Sequence, residues 1–297
     1  MTKWARTRSR WRGLAISSKV WYNRAMKADL HTHSAFSPDG VSPLSEMLAA
    51  AHERGIQYYG VSEHFDYDYA FYGIKFEGET PTDENAYFSA ARALQKEYAE
   101  KGMRVLVGGE FGFCPDAGCA EKYLQLTERQ RPDFVVNSVH SVDGYDCYFP
   151  EYFAGKSRET AYGKYLERVR ESLDAPYPYD IVGHIGYVGR KAPYERKTLV
   201  YDDFPALFDD ILKAIVKKGK ILEVNSSAKG LDERFLPGKD VLARCFELGG
   251  RRVSFGSDAH DTSRILDGFE EVIAALKELG FTALTVPDAG EYQEILI

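Results

Sequence analysis

Residues 29–33, Asp29-Leu30-His31-Thr32-His33, put two histidines two positions apart at the end of a short apolar segment. In an extended chain, residues i and i+2 face the same side, so the pair can hold one ion. Six further segments close in a comparable way: Ser62-Glu63-His64, Gly109-Glu110, Asn137-Ser138-Val139-His140, Gly183-His184, Glu223-Val224-Asn225 and Ser257-Asp258-Ala259-His260. Six of the seven histidines belong to this set, and only the sixth segment lacks an obvious ligand. Parallel strands that end on one rim bring such distant side chains into a single pocket.

Outward from these segments, strand and helix alternate with little else, which predicts βα units and a parallel sheet. The apolar runs at 58–61, 105–107, 134–139, 181–182, 221–224 and 253–255 read as strands covered on both faces. Ser42 and Pro43 read as the N-cap and first residue of a helix that carries Leu44, Met47, Leu48 and Ala51 on one face and stops at Gly55. Further helices are expected at 83–101, 158–173, 203–218, 239–248 and 268–279. A last strand without ligands, 281–286, is expected at an edge or on the outside, stopped by Pro287.

The chain of 297 residues is 44% hydrophobic and 28% charged, the composition of an ordinary soluble protein. No apolar run approaches the roughly 20 residues that span a bilayer, so no membrane partner is expected. The formal charge is −7, of which residues 1–27 contribute +8 with no acid, leaving −15 on the remainder. An acidic body disfavours nucleic acid, whose binding depends on Lys and Arg neutralising phosphates. A small substrate fits better. Residues 1–25 read as a basic, disordered extension, with an alternative start at Met26, and 26–297 as one catalytic domain. Cys114, Cys119, Cys147 and Cys245 lack zinc-finger spacing and read as ordinary thiols of a reducing cytoplasm, the first two in a loop after a strand.

Imidazoles and carboxylates that converge in a buried rim cost several kcal/mol each unless something compensates. A cation does. His31, His33, Asp39, His64, Glu110, His140, His184, Asp258 and His260 form a mixed nitrogen and oxygen set suited to Zn, Mn or Fe rather than Ca, and nine donors exceed what one ion takes. The rim therefore reads as a polynuclear metal centre.

In their order and spacing, DLHTHSAFSPDG (29–40), GVSEH (60–64), GGEFG (108–112), DFVVNSVHSVDG (133–144), DIVGHIGYVGR (180–190), ILEVNSS (221–227) and GSDAH (256–260) resemble the polymerase and histidinol phosphatase (PHP) family, and in particular its monofunctional histidinol phosphatases. The resemblance runs from Met26 to about residue 290. It implies an α/β fold, a distorted (β/α)7 TIM-like barrel with three divalent metal ions at the C-terminal rim of the strands. It further implies that His31, His33, Glu110 and Asp258 hold the first ion, that Glu110 bridges to a second completed by His140 and His184, and that Asp39, His64 and His260 take the third. The activity implied is hydrolysis of L-histidinol phosphate to histidinol and phosphate in histidine biosynthesis, with metal-bound hydroxide as nucleophile and no covalent intermediate. Arg190 matches an arginine placed near the substrate phosphate, and Asp258 serves as a ligand with a proton-shuttling role as the alternative.

The same chemistry on another small phosphomonoester, or on nucleotide ends, is the second reading. A non-catalytic scaffold is the third, disfavoured because every motif position keeps a metal-competent side chain. Oligomeric state is left open. Tyr187 and Tyr194 are assigned to packing or the pocket wall, and His52 to a helix surface. Lys191 is read as solvent-facing and Glu63 as structural. Asn225 and Ser226 order the sixth strand end or bind a ligand, and Arg251 and Arg252 belong to the opposite end of the strands.

Overall fold

A computed structural model of the chain describes residues 26–74, 81–228, 230, 231, 233–288 and 290–297. The basic extension assigned to residues 1–25 lies outside the described residues. In chain order the elements are β1 (Ala28–Asp29), α1 (Leu44–Glu53), β2 (Tyr58–Val61), β3 (His64–Phe65), α2 (Tyr67–Tyr72), α3 (Glu84–Glu100), β4 (Arg104–Val107), β5 (Gly109–Gly112) and α4 (Ala117–Gln130). They continue with β6 (Val135–Ser138), β7 (Ser141–Val142), β8 (Tyr145–Asp146), α5 (Pro150–Phe153), α6 (Arg158–Ser172), β9 (Ile181–Val182), α7 (Pro205–Lys218), β10 (Ile221–Asn225), α8 (Lys239–Glu247), β11 (Val253–Gly256), α9 (Phe269–Glu278), β12 (Ala283–Asp288) and β13 (Glu291–Leu296).

The fold is α/β with parallel sheets. One sheet orders β1-β2-β4 and the other β11-β10-β9-β6-β5-β3, every pair parallel. Backbone bonds run between them: Leu30 N–H donates to Phe255 O at 2.9 Å and Asp258 N–H to His31 O at 2.8 Å. The chain passes from β2 to β3 through Ser62 and Glu63, and from β4 to β5 through Gly108. At these breaks the buried Tyr87 hydroxyl lies 3.0 Å from Val61 O and 2.8 Å from Gly108 O. Val61 O already accepts from Gly108 N–H at 2.8 Å, and the phenol supplies one further donor at the break.

The helices cover the sheets with apolar faces. Leu44, Met47, Leu48 and Ala51 of α1 are buried, as the periodicity requires. On α7, Phe208, Ile211, Leu212 and Ile215 face inward, Pro205 opens the helix, and Gly219 closes it at φ 65°. α3 is capped by Asp83, whose carboxylate accepts from Ala86 N–H at 3.0 Å.

Three expectations need correction. Ser42 does not cap α1: Pro43 holds the cap position, and the Ser42 hydroxyl accepts from Thr262 N–H at 3.2 Å. Pro287 does not stop the last strand but lies within β12, which runs to Asp288 and pairs antiparallel with β13. A proline is tolerated there because this two-stranded ribbon leaves one edge of β12 without ladder partners. Cys119 is not in a loop: it lies in the first turn of α4, after the Asp116 cap, and all four cysteines are free and buried. None of the described helices is long and apolar enough to cross a membrane.

Candidate metal centre

The strand ends converge on Glu110. It lies in β5 directly across from His64 in β3, and both its oxygens face imidazole nitrogens. Oε1 is 2.8 Å from His184 Nε2 and 3.1 Å from His140 Nε2. Oε2 is 3.0 Å from His64 Nδ1, 3.2 Å from His31 Nε2 and 3.5 Å from His33 Nε2. Asp258 approaches from beyond β11, its Oδ1 3.4 Å from His33 Nε2 and 3.9 Å from His31 Nε2. It does so from a left-handed backbone (φ 52°), a conformation that costs a non-glycine residue about 1–3 kcal/mol. Asp39 closes the outer side, 3.0 Å from His260 Nε2 and 3.7 Å from His64 Nε2. All nine residues singled out in the sequence thus adjoin one another, although they span some 230 positions of chain.

Partners behind the rings set the tautomers. His31 Nδ1 lies 2.6 Å from Glu223 Oε1, His140 Nδ1 lies 2.9 Å from Asp66 Oδ1, and His260 Nδ1 lies 3.0 Å from the Asp258 carbonyl. A carboxylate or carbonyl only accepts, so each Nδ1 carries a hydrogen, and Nε2 is the inward atom whose lone pair a cation would take in exchange for a proton. His33 is arranged the same way at one remove. Ser37 gives its hydroxyl hydrogen to Glu63 at 2.5 Å and accepts from His33 Nδ1 at 3.2 Å.

The inward atoms are left without hydrogen bonds. His31 Nε2, His33 Nε2, His64 Nδ1, His260 Nε2 and Glu110 Oε2 are buried and make none among the described residues. Each such atom costs about 1–3 kcal/mol. Protons cannot relieve all of them. Burial raises the Glu110 carboxyl, but His31, His140 and His64 outweigh it and hold the group well below the usual range. Burial, then His64 and His260, push His33 down to about 3, so this ring stays neutral. Donor triplets close enough for one ion are His31, His33 and Asp258; His31, Glu110 and His184; His33, His64 and His260; and His64, Asp66 and His140. The donor set and its unpaired atoms fit divalent cations.

Arg190 reaches the same rim. Its Nη2 donates to Asp258 Oδ2 at 2.8 Å and to Asn225 Oδ1 at 3.2 Å, while its buried Nε makes no hydrogen bond among the described residues. Behind it the Tyr187 ring packs 5.2 Å from His140 and 5.3 Å from His184 between ring centres, and its hydroxyl donates to Asp146 at 3.2 Å. Tyr194 is tied instead to Lys156 O. His52 and Lys191 are exposed, and Ser226 donates to Asp267 O. Arg252 meets Gly219 O, beyond the far end of the strands.

Sequence reasoning missed Glu223 and Asp66, and underrated Glu63. Asp66 stands two residues after His64, the spacing that singled out His31 and His33. Glu223 is a lone acid in the apolar run of β10, and besides His31 it accepts from His184 N–H at 2.6 Å. The strand without an obvious ligand thus supplies a carboxylate that supports two of them.

Comparison with known proteins finds a family match and relatives along most of the chain. The PHP domain model matches residues 29–227. The histidinol-phosphatase of Lactococcus lactis is 28% identical over 261 residues, which cover 87% of this chain and 93% of that one. A "probable histidinol-phosphatase" of Clostridium acetobutylicum is 27% identical over 239 residues, 79% of this chain and 87% of the relative. The crystal structure of the Lactococcus lactis histidinol phosphate phosphatase, complexed with Zn, L-histidinol and phosphate, superposes with a TM-score of 0.78 at 25% identity, covering 90% of this chain and 98% of that one.

Proposed function

The chain belongs to the PHP domain family, and from that premise we propose that it is a metal-dependent phosphomonoester hydrolase converting L-histidinol phosphate to L-histidinol and phosphate. The observation that carries the reading is the convergence of five histidines on Glu110, with Asp258, Asp39 and His260 adjoining them, beside an arginine with an unpaired N–H. The near full-length similarity to histidinol-phosphatases, one of them crystallised with Zn, histidinol and phosphate, supports the substrate.

Three divalent ions, Zn, Mn or Fe, are assigned to the rim. His31, His33 and Asp258 would hold the first with Glu110. Glu110, His140 and His184 would hold the second, and Asp39, His64 and His260 the third. When bound, such ions acidify a water molecule into a nucleophile and neutralise the phosphate and the departing alkoxide. The chain's own part is positioning. Arg190 offers its free Nε–H and the rest of its fork to phosphate oxygens. Asp258 holds that fork through Oδ2 and turns Oδ1 to the cluster. Burial would raise its carboxyl, but Arg190 and His31 prevail and keep it ionised, which suits a ligand better than a proton carrier. The flat faces of Tyr187 and Tyr148, ring centres 6.1 Å apart, offer a wall for the imidazole of the leaving alcohol.

The backbone bonds between β1 and β11 support one distorted seven-stranded barrel formed from the two sheets, with residues 26–297 as its catalytic unit. Four free buried cysteines suit a reducing cytoplasm. The test is kcat/KM for L-histidinol phosphate beside phosphoserine, glycerol phosphate and a nucleoside monophosphate. A preference for histidinol phosphate of 100-fold or more is expected; equal or better turnover of another ester would reassign the substrate.

A further inference from the structure

The nine donors are not alike in their surroundings. Asp39, His260 and His64 have 51%, 25% and 15% of their side-chain surface exposed, whereas none of the other six exceeds 5%. The backing differs in parallel. His31 is held by Glu223, His33 by the Ser37–Glu63 pair and His140 by Asp66, all buried or nearly so. Among the described residues, His260 Nδ1 is backed by its near neighbour Asp258, through the carbonyl at 3.0 Å with Oδ1 at 3.8 Å, while His64 Nδ1 has Asp66 Oδ2 at 3.3 Å. Among the described residues, the ion pairs of Asp39 are with His64 and His260, two members of its own set. The loop that carries Asp39 is itself well tied, by Ser37 N–H to Ser34 O, Gly40 N–H to Ser37 O and Val41 N–H to His260 O. The outer set is therefore preformed but open to water.

Resting on the reading that the rim holds three ions, we infer that the outer ion, held by Asp39, His64 and His260, is exchangeable with solution while the inner pair is captive. Supporting hydrogen bonds behind metal ligands are worth about 10–100-fold in affinity each; the inner set has carboxylates directly behind His31 and His140 and one relayed by Ser37 behind His33, whereas the outer set has Asp66 beside His64 and no carboxylate hydrogen bond behind Asp39 or His260. Exposure acts in the same direction, because water competes more freely for an ion among exposed donors than for one held among buried donors. The enzyme would then respond to the free divalent-ion concentration through one site, without dismantling the centre.

The test is metal stoichiometry. The full-length chain, loaded with Zn2+, is dialysed against buffers of stepwise lower free Zn2+ and assayed for bound metal by mass spectrometry, with the unfolding temperature recorded at each step. The expected result is loss of one equivalent at a free-ion concentration at least about 100-fold higher than the next. Asp39→Ala and His260→Ala should hold two equivalents from the start, with the circular dichroism of the parent. Release of all ions together, or an Asp39→Ala chain that keeps three, would overturn the inference while leaving the metal reading intact. A folded parent chain that binds no ion would overturn both.

Discussion

Glu223 has no access to substrate, yet both its oxygens are committed to the centre, one to the His31 ring and one to the backbone of His184. Glu223→Gln keeps the shape but cannot accept both bonds equally, and we expect it to weaken metal retention about 10–100-fold with KM little changed. Metal content after dialysis, read beside KM, checks this; an unchanged metal content would show that His31 needs no such support. Glu223→Ala should also destabilise the fold by about 1–3 kcal/mol for each polar group left bare, measurable by urea unfolding. At this scale the candidate ligands were legible in the sequence as side chains that the fold brings together, because metal-type side chains at strand ends form a recurring local pattern. Their supports could not, because the partner of His31 lies 192 positions away and in sequence is only an acid inside a strand.

Between elements, close approach decides what is allowed. A Cβ on Gly256 in β11 would stand 2.2 Å from Glu223 Oε1 and 2.6 Å from His31 Cβ. Gly256→Ala should therefore cost about 1–3 kcal/mol by overpacking and disturb the metal centre with it; parent-like stability and metal content would contradict that packing. Asp180, just before β9, ties β6 and β13 together, accepting from Val135 N–H at 3.1 Å and Tyr292 O–H at 3.2 Å. Burial raises its carboxyl above the usual value of 3.8. The folded state thus holds the proton more tightly than the unfolded one, so the group's contribution is full below that value and is lost as pH rises through the folded value. Asp180→Asn should gain stability relative to the parent as pH climbs from 4 to 7, and unfolding midpoints that run parallel would refute this. The main helices were legible here from apolar period and glycine stops. α4 was not singled out, although Asp116 caps it, and Pro287 misled because its tolerance in β12 depends on the sheet edge it occupies.

Across the whole molecule, the negative charge and the metal centre belong together. The net −7 includes carboxylates that the rim turns inward, where imidazoles and Arg190 compensate them. Strand alternation foretold parallel α/β architecture, and the order of the motifs foretold which strand brings which candidate side chain to the rim. The splitting of the strands into two sheets at Ser62–Glu63 and Gly108 was not foretold, since those residues carry no local break signal that sets them apart from the strands they join. The account's central claim is that this rim is one metal-dependent centre for phosphate-ester hydrolysis. The most direct measurement is phosphate release from L-histidinol phosphate by the purified chain as isolated, after complete removal of divalent ions, and after their return. The account predicts turnover, its loss on removal and its recovery with Zn, Mn or Fe. Undiminished turnover by a chain shown to be free of metal, or none by the fully loaded chain, would contradict it.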